Sequence, residues 1–510
     1  MLENSGFQTL DIIILVGYLV VIAVIGSFSG GKQRTIKDYF MGGSNIPWWA
    51  VTFAIVAAET STLTFISIPG LAYVTDLTFL QLTIGYLIAR VIVSFIFLPA
   101  YKKGNLSTAY HLLENRFGHQ TRSYASTVFL FTRVAADGVR LFATAIPIAV
   151  IFKTSAFFAE WSNMEIYVLS IIIIAIVTLI YTYTGGVKGI IWVDVIQMTI
   201  YIGGAILAGI LILNSLPNGW QTVREIAGPM HKFKVFNFDF GSSIGEFFRQ
   251  PYTLINALIG GTFLSMASHG TDQLIVQRLL TTRTLKDSQK ALIGSGVMVM
   301  FQFALFLTVG VLLYVFFQLK GVDMSAAAAP FHKADEIFPY FIINYMPTGV
   351  KGIIIAGLFA AAMSTLAGSM SSLSSSAMMD LYKPYFGKNA TDKQDLWVSR
   401  MMTIFWAVVL SAVALLFINV LASVVEIALG IASITYGGLL GTFLLGVLFK
   451  GPKQTSAIVG FSAGIAVMLL IILIPMVLGK PALVNWTWYT LIGSSVTLIV
   501  GNLWHKFTGE

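Results

Sequence analysis

The chain has 510 residues, of which 56% are hydrophobic and only 11% are charged. Soluble domains carry about 25% charged residues, so this composition excludes a soluble globular protein. Cysteine is absent, which excludes disulfides, thiolate metal sites and a cysteine nucleophile.

Apolar runs of roughly the 20-residue length that crosses a bilayer recur along the whole chain. There are thirteen, at about 7–29, 46–73, 77–101, 124–152, 165–184, 188–213, 251–277, 290–318, 350–380, 398–419, 423–449, 455–478 and 485–505. The runs at 46–73 and 251–277 are polar in part, the second through Gly260–Gly261 and "SHGTDQ". The pattern predicts an all-α polytopic membrane protein, with 1–510 as one domain of about 13 transmembrane helices and these two helices interrupted.

The positions of lysine and arginine predict the orientation in the membrane. Nineteen of the 31 basic residues fall in loops on one side and nine on the other. Basic residues concentrate on the cytoplasmic side, so we expect an external N-terminus and a cytoplasmic C-terminus in the cell membrane. The net charge of +8 thus reflects topology, and nucleic acid is not expected as a partner. Nothing in the pattern demands an obligatory protein partner.

Ionisable residues inside predicted spans are costly and by default mark function. Here they are Glu59, Asp137, Arg140, Asp194, His269, Asp272 and Glu426. Asp137 lies four residues after Arg133 and three before Arg140, so it can pair with either. One interpretation of this trio is a structural ion pair; the other is that Arg140 meets an anionic group of a substrate. His269 has no second histidine or cysteine nearby, so an enzyme is not expected.

The stretch "AAETSTLTF" at 57–65 places Glu59 and four hydroxyl residues inside a predicted span. If the helix breaks here, backbone carbonyls lose their partners, which is tolerated at membrane depth only where they line a cavity or lie within protein. Freed carbonyls together with hydroxyls would form a cation and substrate site, and many secondary transporters are built on such broken helices.

A second oxygen-rich turn lies in the run at 350–380. Ala361, Ser364 and Thr365 follow an i, i+3, i+4 spacing, which puts one carbonyl and two hydroxyls on one side of a helical turn. A small hard cation prefers such oxygen ligands. The alternative is close helix packing, which small residues also permit.

Four motifs stand in order along the chain: "DYFMGGSNIPWWAVTFAIVAAETSTLTFISIPGLAY" (38–73), "YTGGVKGIIWVDVIQ" (183–197), "GTDQLIVQRLL" (270–280) and "AGLFAAAMSTLAGSMSSLSSSAMMDLY" (356–382). Together they resemble the sodium/solute symporter family, which includes bacterial sialic-acid, galactose and proline carriers. The resemblance implies a leucine-transporter-like fold with a 5+5 inverted repeat. The extra N-terminal helix would be 7–29, the first repeat 46–213, the second repeat 251–449 and the additional C-terminal helices 455–505.

The resemblance also assigns roles to residues. It implies a sodium site made by the carbonyls of Ala57, Thr60 and Ala361 and the hydroxyls of Ser364 and Thr365. It implies a substrate site near Ser61 and Thr64, with Arg140 close to where sugar-acid carriers bind a carboxylate. Some relatives have a second sodium site with two more hydroxyls, but Ala367 and Gly368 occupy those positions here. Asp194, the acidic residue of that site, is therefore interpreted as structural, with a second-ion ligand as the alternative.

Glu59 departs from the family, whose members carry a small or hydroxyl residue there. Three hypotheses compete: an internal pair with Arg140 or Arg133, contact with a cationic or zwitterionic solute, or a proton-binding role. The overall prediction is sodium-coupled symport of a small polar organic solute, with a carboxylate-bearing solute as one option. The alternatives are a proton-coupled carrier that uses Glu59 and a non-transporting sensor on the same fold.

Overall fold

The computed structural model describes residues 6–104, 106–250, 252–322, 324, 329–419 and 424–509, without the side chains of 419–431. Glu426, one of the predicted intramembrane carboxylates, lies outside the described side chains. An isolated parallel bridge joins Ile46 to Thr282, and helices make up the ordered elements of the described part of the chain.

Among the described residues up to Ser215 there are nine α-helices: α1 Thr9–Ser29, α2 Ile36–Met41, α3 Trp48–Glu59, α4 Thr62–Val74, α5 Leu80–Ile96, α6 Leu98–Lys103, α7 His111–Phe117, α8 His119–Phe152 and α9 Asn163–Ser215. The middle forms six: α10 Trp220–Ala227, α11 Ile244–Arg249, α12 Leu254–Gly270, α13 Gln273–Leu280, α14 Leu285–Leu319 and α15 Ala334–Tyr345. The last part forms six more: α16 Val350–Ser376, α17 Lys383–Tyr385, α18 Asp392–Leu416, α19 Val424–Leu448, α20 Gln454–Val477 and α21 Tyr489–Thr508.

Eight helices within the described residues are long and apolar enough to cross a membrane, or nine if α3 and α4 form one bent span. The predicted number of thirteen is not established by this criterion and stays a prediction. One reason is α9, whose 53 residues would extend about 80 Å if straight, against a hydrocarbon core of about 30 Å. Gly186 interrupts α9 with φ 56° and ψ −162°, at the junction between two of the predicted runs.

Both interruptions expected from the sequence are present. Helices α3 and α4 meet at Thr60–Ser61 with a bend of 69°, and α12 and α13 meet at Thr271–Asp272. The second break lies in "SHGTDQ" and not at Gly260–Gly261, where α12 is continuous. There the missing side chains let α12 approach its neighbours, since a Cβ on Gly261 would lie 2.9 Å from the Leu82 carbonyl oxygen.

Helix α16 lies at the centre of the bundle, and all of its residues except Val350 and Ile353 are buried. Its sequence is rich in glycine, alanine and serine, whose small side chains let neighbouring helices come close. Many of its hydroxyls donate to carbonyls of α16 itself; Ser374, for example, donates to Met370 at 2.6 Å. Other serines of α16 also bond to neighbouring helices: Ser371 and Ser375 accept the side-chain amides of Gln277 and Gln273 on α13, at 3.1 and 3.0 Å.

The described residues of 216–253 and 320–349 lie together at one end of the bundle, here called the long-loop end. Leu77 donates its amide to the Lys234 carbonyl at 3.1 Å, and Asn485 donates to the Phe248 carbonyl at 2.7 Å. The opposite end holds a buried ion cluster, in which Asp380 accepts from Arg122 at 2.7 Å and from Thr108 at 2.6 Å. The two ends of the bundle therefore differ in how they are closed.

Candidate functional site

The break between α3 and α4 exposes backbone carbonyls in a buried place. Thr60 has φ −84° and ψ 102°, and Ser61 is extended and caps α4 with its side chain. Because α3 ends at Glu59, the carbonyls of its last turn have lost the amides that would follow in a continuous helix. Ala57 and Thr60 are both buried, so these oxygens need a partner within the protein.

A turn of α16 lies directly against this break. Thr62, at the start of α4, donates to the Leu358 carbonyl at 2.9 Å. One turn further along α16, the Thr365 hydroxyl donates to the Ala361 carbonyl at 3.1 Å. Ser364 and Ala361 are fully buried. Oxygen atoms of two helices, one broken and one continuous, thus meet in the protein interior.

A small cavity of about 10 Å³ lies between the two helices. Its wall includes Ser61 from the break, Thr365 from α16, and Asp137 and Arg140 from α8. A volume of this size corresponds to about one water-sized particle. The predicted sodium residue Thr365 and the predicted substrate residues Ser61 and Arg140 therefore border one space.

Asp194 forms a buried ion pair with Arg278. One of its oxygens accepts the Ser364 hydroxyl at 2.6 Å, and the other accepts Arg278 at 3.0 Å. Arg278 also packs against Gly368, where an added Cβ would lie 2.9 Å from the guanidinium. Arg278 is one of the basic residues that the charge pattern predicts in a loop; it is instead buried near the end of α13. The guanidinium thus occupies the space beside Asp194 and Gly368.

Glu59 forms an internal pair, but with a different partner from those expected. Its Oε2 lies 2.5 Å from Arg90 and 3.4 Å from the Nε2 of His269. Arg90 is fully buried and also donates to Ser295 at 2.8 Å. The expected partners Arg133 and Arg140 are on α8, whereas Arg90 is on α5 and His269 on α12.

The α8 trio forms the ion pairs that its spacing predicts. Asp137 lies 3.5 Å from Arg133 and 3.3 Å from Arg140, and it accepts the Ser369 hydroxyl at 2.5 Å. Arg133 also pairs with Asp272 of the second broken helix at 3.3 Å. Arg140 keeps 26% of its side chain exposed, so it is the most accessible of these four charges.

A larger cavity of about 380 Å³ lies beyond the break and extends toward the long-loop end. All four predicted substrate residues line it, namely Glu59, Ser61, Thr64 and Arg140. The rest of its wall is mostly aromatic or aliphatic, and includes Leu63, Ile68, Leu71, Phe79, Tyr86, Tyr252, Leu264, Phe303 and Trp486. A mostly apolar cavity with a few polar groups at one end is typical of small-molecule sites.

Comparison with known proteins agrees with this geometry. A family model described as the sodium:solute symporter family matches residues 39–464. The chain belongs to the sodium:solute symporter family. A sodium/sialic acid symporter from Proteus mirabilis (strain HI4320) is 28% identical over 506 residues, which cover 98% of this chain and 95% of that protein. A sodium-coupled monocarboxylate transporter 2 from Mus musculus is 26% identical over 471 residues, which cover 90% of this chain and 72% of that protein.

Solved structures give the same result. The substrate-bound outward-open state of a Na⁺-coupled sialic acid symporter superposes with a TM-score of 0.85 at 27% identity, covering 98% of both chains. A nucleobase-cation-symport-1 family transporter in a closed conformation matches with a TM-score of 0.53 at 12% identity, which is a likeness of fold alone. The symporter is therefore an all-helical, multi-pass membrane transporter with the leucine-transporter-like fold, and it couples solute movement to sodium. This favours sodium symport over both the proton-coupled and the sensor alternatives.

Three site residues escaped the sequence analysis. They are Arg90, Arg278 and Gln302, none of which the sequence pattern marks as a site residue. Gln302 donates to the Thr60 hydroxyl at 2.7 Å. A buried glutamine in an apolar helix is itself a signal, because its amide must find a partner.

Proposed function

We propose that sodium binds where the broken helix meets α16, held by the carbonyls of Ala57, Thr60 and Ala361 and the hydroxyls of Ser364 and Thr365. The observation that supports this most directly is the break at Thr60–Ser61 facing the Ala361–Thr365 turn. The donor set consists only of oxygen, which suits a small hard cation. Sodium would hold α3 and α4 against α16 and complete the wall of the solute cavity.

One sodium ion is coupled per solute in this proposal. Asp194 is neutralised by Arg278 rather than by an ion, and Gly368 offers no hydroxyl. One ion is energetically sufficient: a membrane potential of about 100 mV supplies about 2.3 kcal/mol per charge, and a tenfold sodium gradient adds about 1.4 kcal/mol. Together these support accumulation of a solute of zero net charge by several hundredfold, a condition that a carboxylate-bearing solute meets when it also carries one positive charge.

The solute is a small carboxylate-bearing molecule, and its carboxylate meets Arg140. Arg140 lines both cavities and is paired through only one nitrogen, Nη1, within the described structure. Ser61 and Thr64 supply hydroxyls on the facing wall. The sialic acid and monocarboxylate named for its relatives also carry a carboxylate.

The symporter sits in the cell membrane with its N-terminus outside and its C-terminus in the cytoplasm. The excess of basic residues in alternate loops supports this orientation. The long-loop end is then external, and the solute cavity opens toward the outside.

The first experiment measures thermal stability of the purified symporter during a sodium titration, with potassium as the ionic-strength control. We expect a sodium-specific rise in the unfolding midpoint that Ser364→Ala abolishes. Ser374→Ala is the matched control, because Ser374 is equally buried on α16 and bonds only its own helix. A sodium response that survives in Ser364→Ala, or that Ser374→Ala also removes, would contradict this site.

A second experiment measures solute binding or uptake in Arg140→Gln. This variant should fold, because Asp137 keeps Arg133 as a partner. We expect it to retain the sodium-induced stabilisation and to lose solute binding. Unchanged solute affinity in Arg140→Gln would contradict the proposal that Arg140 binds the carboxylate of the solute.

A further inference from the structure

Glu59 contributes to the 380 Å³ cavity a carboxylate oxygen that accepts no hydrogen bond from the described residues. A single oxygen of Glu59, Oε2, contacts both Arg90 and His269. Within the described residues no hydrogen bond reaches its Oε1, and 22% of the side chain is exposed where it lines this cavity. A fixed carboxylate with one oxygen turned to a mostly apolar space is an acceptor that lacks a donor.

The same cavity also presents a positively charged hydrogen-bond donor, the guanidinium of Arg140. Arg140 uses Nη1 for Asp137, and the described residues provide no partner for its Nε or Nη2. Arg90 and Asp137, which hold the two cavity charges in place, are themselves buried. Both the acceptor and the donor are therefore oriented by the protein before any solute arrives, which lowers the cost of binding.

The wall around these two groups suits a compact cationic group better than a chain of hydroxyls. Tyr86, Phe79 and Tyr252 line the cavity together with Glu59. Aromatic faces attract an ammonium group, whereas a sugar hydroxyl placed against them would lose its hydrogen bonds to water without replacement.

We infer that the solute is a small amino carboxylate with an apolar body, whose carboxylate binds Arg140 and whose ammonium group binds Oε1 of Glu59. This inference rests on the proposed function and names the substrate class of that site. It also gives Glu59 its role, as the residue that selects for the amino group while Arg90 and His269 hold it in place.

The test uses matched sets of probes that share one carbon skeleton and differ in one group. Alanine, lactate and propionate form one set; leucine, 2-hydroxy-4-methylpentanoate and 4-methylpentanoate form the second; phenylalanine, 3-phenyllactate and 3-phenylpropionate form the third. N-acetylneuraminate represents the polyhydroxylated acids. Affinity is measured by the shift in unfolding midpoint at saturating sodium, and by sodium-driven uptake into proteoliposomes.

We expect the amino form of at least one set to bind at least tenfold more tightly than its hydroxy and unsubstituted forms. Glu59→Gln should reduce that preference by at least tenfold while keeping the sodium response. Asp335→Asn is the competing variant, because Asp335 is a second carboxylate on the wall of the same cavity.

Several results would overturn the inference. They are an amino form that binds no better than its partners in all three sets, tightest binding of N-acetylneuraminate, or a preference that Asp335→Asn removes and Glu59→Gln does not. The comparison in the wild-type protein needs no variant, so it stands even if Glu59→Gln unfolds. Absence of any sodium response would instead point to failure of the proposed sodium site.

Discussion

The pair formed by Asp194 and Arg278 allows a prediction that separates a structural role for Asp194 from ion binding. Asp194 is fully buried and the Arg278 side chain is 3% exposed, with 3.0 Å between their atoms. Asp194→Asn would leave a buried guanidinium without its carboxylate, which costs about 3–5 kcal/mol. That corresponds to a loss of roughly two to three and a half orders of magnitude in the folding equilibrium.

The effect should appear equally in sodium and potassium buffers, because an arginine and not an ion neutralises Asp194. The double variant Asp194→Asn/Arg278→Met removes both charges, and we expect it to recover most of the lost stability. Asp395→Asn is the matched control: its partner Lys383 is 38% exposed and can be hydrated, so the loss should stay below about 1 kcal/mol.

The assay is unfolding of the purified symporter in mild detergent, followed by tryptophan fluorescence at graded denaturant. A stability loss that appears only in sodium buffer would make Asp194 an ion ligand. A double variant no more stable than the single one would show that the pair is not the source of the loss. Either result would refute the structural interpretation.

Three further predictions concern other parts of the symporter. Gln302→Leu removes the 2.7 Å hydrogen bond to Thr60, which contributes about 0.5–1.5 kcal/mol. Sodium affinity in the titration should therefore fall by up to about tenfold. Unchanged affinity would mean that Gln302 does not position the break. Gly186 has φ 56°, and Gly186→Ala would put a Cβ 2.7 Å from the Tyr39 carbonyl oxygen, so the purified yield and the unfolding midpoint should both drop. Gly203→Ala is the control: its Cβ would meet open space, so both quantities should stay nearly unchanged. The backbone amide of Arg34 holds the pKa of Asp38 below its usual 3.8. The stability that Asp38 contributes is therefore fully present above about pH 3.8 and is lost as the pH falls below it. Asp38→Asn should weaken this loss of stability at acid pH, and an identical acid loss in the wild type and the variant would exclude Asp38 as its cause.

The sequence predicted those features that depend on near neighbours in the chain. The break at Thr60 follows from a polar stretch inside an apolar run, and the Asp137 pairs follow from helical spacing. The oxygen turn at Ala361–Thr365 was found in the same way.

The partner of Glu59 could not be predicted in this way. Arg90 is 31 residues away on another helix, and which helices touch is decided by the packing of the whole bundle. The burial of Arg278 is unpredictable for a similar reason: a basic residue near the end of an apolar run is typical of a loop, and its carboxylate partner Asp194 lies 84 residues away in the chain. Local periodicity carries no information about such distant partners.

The serines of α16 have a consequence for how the transporter moves. A carrier must let helices slide past one another during each cycle, and every hydrogen bond between sliding surfaces would have to break at each stroke. On α16 the hydroxyl of Ser374 bonds to its own helix, and that of Ser369 also donates to its own Thr365 carbonyl. Such bonds travel with the helix when it shifts. Other hydroxyls of α16 bond to its neighbours: Ser364 to Asp194 of α9, Ser369 to Asp137 of α8, and Ser371 and Ser375 to glutamines of α13. Each transport cycle must therefore either break these bonds or carry α8, α9 and α13 along with α16.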